Sequence, residues 1–176
     1  MKNKITLILA ALGIASQVYA ANTIYLTGST AFRGNCYTVL SQAAPAGPWD
    51  SAPDIAVRQS STNLPVNNAK CSYMLFHGNI GGTETFVSCF WSGSEAGIAS
   101  VAGNPINNDG SPLPGAPATF MKTDGTVAYT SITNAPGADL ESSSRNGDLA
   151  MADTSKDVSK DGATHDTSSS TDGSAG

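Results

Sequence analysis

The sequence predicts an α/β domain, a short parallel or mixed sheet with flanking helices, and three observations carry that prediction. Short β-branched and aromatic runs alternate with segments whose apolar residues recur at helical spacing. Small polar joints, TGSTAF at 27–32 and SGSEAG at 92–97, each follow such a run and precede such a segment. The charged fraction is only 13% of 176 residues, with 18 glycines and 9 prolines, the composition of a loop-rich exported protein rather than a cytosolic helical one.

Residues 1–20 read as a signal peptide. Lys2 and Lys4 make a basic start, ITLILAALGIA is the apolar core, and small residues close the segment at Ala20. The core is too short to span a bilayer comfortably, so no stable membrane insertion is expected and the chain should be periplasmic or secreted. Residues 21–153 then fit one domain.

Its first strand is TIYL, Thr23 to Leu26. Phe32, Cys36, Val39, Leu40 and Ala43 repeat at helical spacing, so a helix is expected from about Thr30 to Ala44, with Ser29 or Thr30 as its N-cap. DIAVRQ, 54–59, reads as a short strand. Ser72 to His77 and Thr83 to Trp91 are stronger ones, joined by a turn at Asn79–Gly82. Ser92 with Glu95 three residues on fits a capping box, which predicts a helix running to about Val101. Residues 102–147 form an insertion of glycine, proline and asparagine with short apolar pieces. Within it, TFMK and TVAY around Asp124-Gly125 suggest a hairpin. A short apolar run, Leu149 to Ala152, ends on Asp153. Residues 154–176 carry almost no apolar side chains and read as a disordered acidic and polar tail.

Charge narrows the function. Residues 21–137 hold six acids and four bases, and residues 138–176 hold eight acids and three bases. With no basic stripe, nucleic acid is not an expected partner. His77 and His165 are isolated, the aspartates of the tail do not follow a calcium-loop spacing, and no Cys/His cluster exists, so neither metal nor cofactor is expected. Nothing resembles a Ser-His-Asp arrangement, and Ser92-Gly93-Ser94 lacks the frame of a nucleophile elbow, so the chain does not read as an enzyme. Cys71 and Cys89 flank two strand-like runs. A bridge between them and three small buried thiols, Cys36 included, are both open readings.

The repeated joint carries the functional expectation. If the strands before Gly28, Ser92 and Asp153 are parallel neighbours, their carboxyl ends share one edge, where open α/β sheets bind ligands. Helix N-termini and the hydroxyls of Ser29, Thr30 and Ser94 would donate to an oxyanion without a large positive charge. Asp153 only accepts hydrogen bonds when ionised, so it would favour a ligand that keeps a proton, such as hydrogen phosphate, over sulfate.

TIYLTGSTAF, FWSGSEAGIAS and DLAMADTSK, in that order, resemble three landmarks of the phosphate-binding periplasmic proteins of ABC transporters. The resemblance covers residues 22–156 and implies a partial periplasmic-binding-protein-like lobe. It further implies phosphate or a related oxyanion as ligand, and an ABC transporter permease as partner. Carried over residue by residue, it assigns ligand binding to Ser29, Thr30, Ala31, Phe32, Ser94 and Asp153. Glu95 departs from the small residue of the family pattern, the 102–147 insertion is long, and no second lobe follows. A fragment or truncated lobe is therefore expected. The alternative is an exported surface or structural protein with no small-molecule ligand.

Overall fold

The computed structural model describes residues 21–59, 70–103, 117–132 and 137–153. The expected signal peptide, the expected polar tail and parts of the 102–147 segment lie outside the described residues. The fold is α/β: six strands form one mixed sheet, flanked by two helices. In chain order these are β1 (Asn22–Gly28), α1 (Arg33–Leu40), β2 (Asp54–Arg58), β3 (Tyr73–Ile80), β4 (Thr83–Phe90), α2 (Ser94–Ala102), β5 (Ser131–Ile132) and β6 (Leu149–Met151).

Across the sheet the order is β5-β2-β3-β4-β1-β6. The β3–β4 hairpin is the longest ladder, from Tyr73 opposite Phe90 to Ile80 opposite Thr83. Its turn places Gly81 and Gly82 at positive φ, and the Asp50 carboxylate accepts from both of their N–H groups. Strand β1 lies parallel to both its neighbours, β4 and β6.

Alternation along each strand sorts side chains onto two faces. On one face Leu26, Val57, Met74, Phe76, Val87, Cys89 and Trp91 form a buried cluster. Phe32, Cys36, Tyr37 and Leu40 of the α1 segment cover it, and Trp49 is buried in it. The Trp49 indole donates to the Leu40 carbonyl (2.6 Å) and ties off the end of that helix. On the other face Ala56, Leu75 and Phe86 meet Met121 and Val127, and Tyr25 meets Ala118 and Phe120. The insertion is thus the second layer of the core.

Three local expectations are corrected. Helix α1 begins at Arg33 with Phe32 as N-cap and no side-chain cap, because the Ser29 hydroxyl is used one turn earlier to accept the Ala31 N–H (3.1 Å). The capping box of Ser92 and Glu95 does not form, and α2 starts after Gly93 at φ 109°. The hairpin around Asp124-Gly125 is absent as well. Its first arm pairs instead with residues 139–145, through bridges Ala118–Arg145 and Met121–Leu140. The Ser88 hydroxyl then pins that arm to the sheet through the Met121 carbonyl (3.0 Å).

The Cys71–Cys89 bridge does not form, and none of the three cysteines is in a disulfide. Ladder register explains this. Cys89 faces Met74, which places Cys71 three positions away, roughly 10 Å along the strand, beyond the span of a disulfide. Burial raises the pKa of each thiol, most strongly at Cys89.

Candidate functional site

The carboxyl ends of β1, β4 and β6 lie side by side on one edge of the sheet. The parallel register, Thr27 opposite Phe90 and Gly28 opposite Met151, sets that alignment. Helix α1 covers the Leu26 face. Helix α2 packs on the Thr27 side, where Gly147 fills the space between Thr27 Cγ2 and Val101 Cγ2. The chain therefore leaves β1 on one face and crosses over it on the other. In open α/β sheets such a reversal marks the strand end at which ligands bind.

Two glycines let the joints meet. The Gly28 carbonyl accepts the Gly93 N–H (2.9 Å), and the next N–H, of Ser29, donates to the Met151 carbonyl (2.6 Å). A Cβ on Gly97 would stand 2.8 Å from the Gly28 nitrogen, so the first turn of α2 rests directly on the β1 backbone. Below this contact Thr27 and Ser92 share a hydroxyl–hydroxyl bond (3.3 Å), a pairing that sequence reading missed. Its only signal is that both are small hydroxyl residues at the ends of neighbouring apolar runs. Asp148 was missed too. Its carboxylate accepts from Tyr25 N–H and its own N–H donates to Tyr25 O, each at 2.8 Å, which fixes the entry of β6.

Of the six expected residues, the structure brings Ser29, Ser94 and Asp153 together. The Ser94 hydroxyl donates to Asp153 Oδ1, and the Asp153 N–H lies 3.4 Å from the same hydroxyl oxygen. Hydrogen bonds from Ser94 first, then from Ser29, lower the pKa of the Asp153 carboxyl. Ser29 is buried within this joint. The other three residues sit differently. Thr30 and Ala31 are exposed, the Ala31 and Phe32 N–H groups are taken up by Ser29 Oγ and Ser29 O, and the Phe32 side chain packs under α1. The first N–H groups of α2 have no acceptor within their own helix and open onto the same edge. The edge thus combines hydroxyl and N–H donors with one ionised acceptor.

The Asp153 arrangement predicts a titration. Its carboxyl should protonate at lower pH than an ordinary aspartate, and Ser94→Ala should move the midpoint back up, both read by carboxyl carbon NMR. Because the folded-state pKa is depressed, the attachment of Asp153 contributes above the ordinary aspartate pKa. It is lost as pH falls through the folded value.

No known protein family, curated protein or solved structure matches this chain. Among the described residues no helix is long and apolar enough to cross a membrane, and no group of three His, Cys, Asp or Glu side chains is placed to hold a metal ion.

Proposed function

We propose that this chain is an exported solute-binding protein of the phosphate ABC-transporter type, a binding protein rather than an enzyme. It takes phosphate or a related oxyanion at the β1, β4 and β6 ends and serves a transporter permease. One observation carries the reading: Ser29, Ser94 and Asp153, far apart in sequence, meet at the carboxyl ends of three parallel strands. In the free protein the Ser94 hydroxyl is held by Asp153. A protonated oxyanion inserts between them, accepting from Ser94 and the α2 N-terminus while donating its proton to Asp153. The body carries little net charge, so recognition rests on dipoles and on that one proton.

Calorimetric titration of the chain with phosphate and with sulfate at neutral pH tests this. Phosphate should bind saturably in the millimolar range and sulfate at least tenfold more weakly. Ser94→Ala and Asp153→Ala should each weaken phosphate about tenfold, the weight of one hydrogen bond to a charged group. Asp153→Asn, whose amide can donate, should narrow the difference between the two anions. No saturable heat at millimolar phosphate, or binding indifferent to both alanine variants, would leave the structural-protein reading in its place.

A further inference from the structure

We propose that the cleft between residues 122–124 and 141–145 is a second binding site, for a small polyhydroxylated carboxylate of the sugar-acid class. It is separate from the strand-end site and does not depend on it. Tyr25, which anchors the cleft from behind, precedes Ser29 by four residues on β1, roughly 13 Å at the rise of a strand.

The cleft measures about 530 Å³ and is lined by Lys122, Asp124, Glu141, Ser142, Ser143 and Arg145, among others. That volume lies within the ordinary range of about 300–1,000 Å³ for small-molecule sites, but the lining is polar rather than greasy. Its walls are held by backbone pairing. Ala118 and Arg145 exchange N–H···O bonds of 3.0 and 2.8 Å, Lys122 N–H donates to Asp139 O (2.9 Å), and Glu141 N–H donates to Phe120 O (2.9 Å). A site built on such a ladder needs little ordering when a ligand enters.

The polar groups divide into those already committed and those left for a ligand. Asp124 Oδ1 accepts from the Thr126 N–H (3.0 Å) and hydroxyl (2.5 Å). Glu141 Oε1 accepts from the Tyr25 hydroxyl (3.0 Å) and lies 3.6 Å from Arg145 Nη1. Each carboxylate therefore spends one oxygen on the protein. Asp124 Oδ2 and Glu141 Oε2 have no partner among the described residues, and a carboxylate oxygen with spare lone pairs takes ligand hydroxyls. The donors are similarly unspent. Lys122 makes no ion pair among the described residues, and the Ser142 and Ser143 hydroxyls make no bond among them. Arg145 lies 4.1 Å over the Tyr25 ring, its side chain 45% exposed. A ligand that satisfies this set carries one anionic group for Lys122 and Arg145 and several hydroxyls for the carboxylates and serines. A simple anion would leave Oδ2 and Oε2 facing it unpaired, and a neutral sugar would leave Lys122 with only the Asp124 carboxylate, which Thr126 already engages, as its counter-charge.

Amide-shift titration of the chain with sodium glucuronate tests the assignment. Shifts should saturate with a Kd on the order of 1 mM and map to residues 119–126 and 141–145. Glucose should bind at least tenfold more weakly, and Lys122→Gln should weaken glucuronate about tenfold by removing a charge-assisted bond. Lys122 is the variant of choice because its side chain makes no ion pair or hydrogen bond among the described residues, whereas Arg145 also covers Tyr25. The Lys122→Gln amide spectrum away from the cleft should overlay that of the parent. Absence of saturable shifts at about 20 mM glucuronate, some twentyfold above that Kd, would overturn the proposal. So would glucose binding as tightly as glucuronate, or unchanged affinity in Lys122→Gln.

Discussion

Replacing Arg58 by Met should destabilise the fold by about 3–5 kcal/mol, the usual cost of breaking a buried ion pair from one side. The Arg58 side chain is only 2% exposed, and its guanidinium is the hub between the sheet and the insertion. Nε meets Asp139 Oδ2 at 2.5 Å, Nη1 donates to the carbonyls of Val57 (2.9 Å) and Thr130 (2.6 Å), and Nη2 to that of Ala128 (2.9 Å). A methionine fills the volume of the stem but leaves the Asp139 carboxylate without its partner, while the carbonyls of Thr130 and Ala128 each lose one donor and keep the N–H groups of Val57 (3.1 Å) and Thr130 (2.8 Å). Lysine is not a substitute, because a single ammonium cannot reach acceptors arranged around a planar fork. Arg58→Lys should still lose about 1–3 kcal/mol, the cost of polar groups left unpaired. Pairing Arg58→Met with Asp139→Leu removes the orphaned charge but does not restore the guanidinium bonds to the carbonyls, so only part of the loss should return. Urea unfolding followed by tryptophan fluorescence gives the midpoints. Wild-type stability in Arg58→Met would mean that the second core layer is held by its apolar contacts alone.

The second large effect is expected at the crossing of α2 over β1. Gly97→Val should cost at least about 3 kcal/mol, the upper range for overpacking. The new side chain meets backbone, the Gly28 nitrogen at 2.8 Å and its Cα closer still, and backbone cannot rotate out of the way. Gly28→Ala should do comparable damage for two reasons. Its φ of 126° is one that L side chains rarely adopt, and a Cβ there would stand 2.7 Å from the Met151 nitrogen. In both variants α2 and β6 must retreat from β1, so the low Asp153 pKa should return toward an ordinary aspartate value. A folded variant that keeps the depressed Asp153 titration would show that Ser94 and Asp153 stay together without this close packing.

The strands with strong apolar runs were legible because burial on both faces demands such runs. Ser72–His77 and Thr83–Trp91 announced β3 and β4, and the glycines between them announced the turn. The polar joints were legible too, since Gly28, Ser29, Ser94 and Asp153 are unlike anything an apolar strand needs. Less legible were features whose partners lie far along the chain. Thr119–Lys122 carries strand-like residues, but whether it pairs with residues 126–129 or with 139–145 depends on contacts that no local window contains. Nothing near Arg58 announces its role, because two of the carbonyls that receive its guanidinium belong to residues 128 and 130. Helix caps failed for a different reason. Ser29 and Ser92 are good cap residues, but a local turn bond from Ala31 and a long-range bond with Thr27 claim their hydroxyls. At Ser92 local propensity lost to long-range geometry, and at Ser29 one local bond replaced another.

Among the described residues strand β6 has one neighbour and pairs with it over Leu149, Ala150 and Met151. Leu149 is 56% exposed, so little apolar burial holds the strand in place. Such an outer strand opens more readily than the sheet it lies against. Asp153 rides on its end, so each opening removes the only acidic member of the strand-end site while Ser29 and Ser94 stay behind. Occupancy by the proposed oxyanion would then scale with the fraction of time β6 is docked, and the apparent dissociation constant would rise as that fraction falls. Read the other way, a bound anion that touches both sides of the joint holds the strand closed. Amide exchange at Met151 and Asp153 should slow as ligand is added, even though neither backbone group touches it.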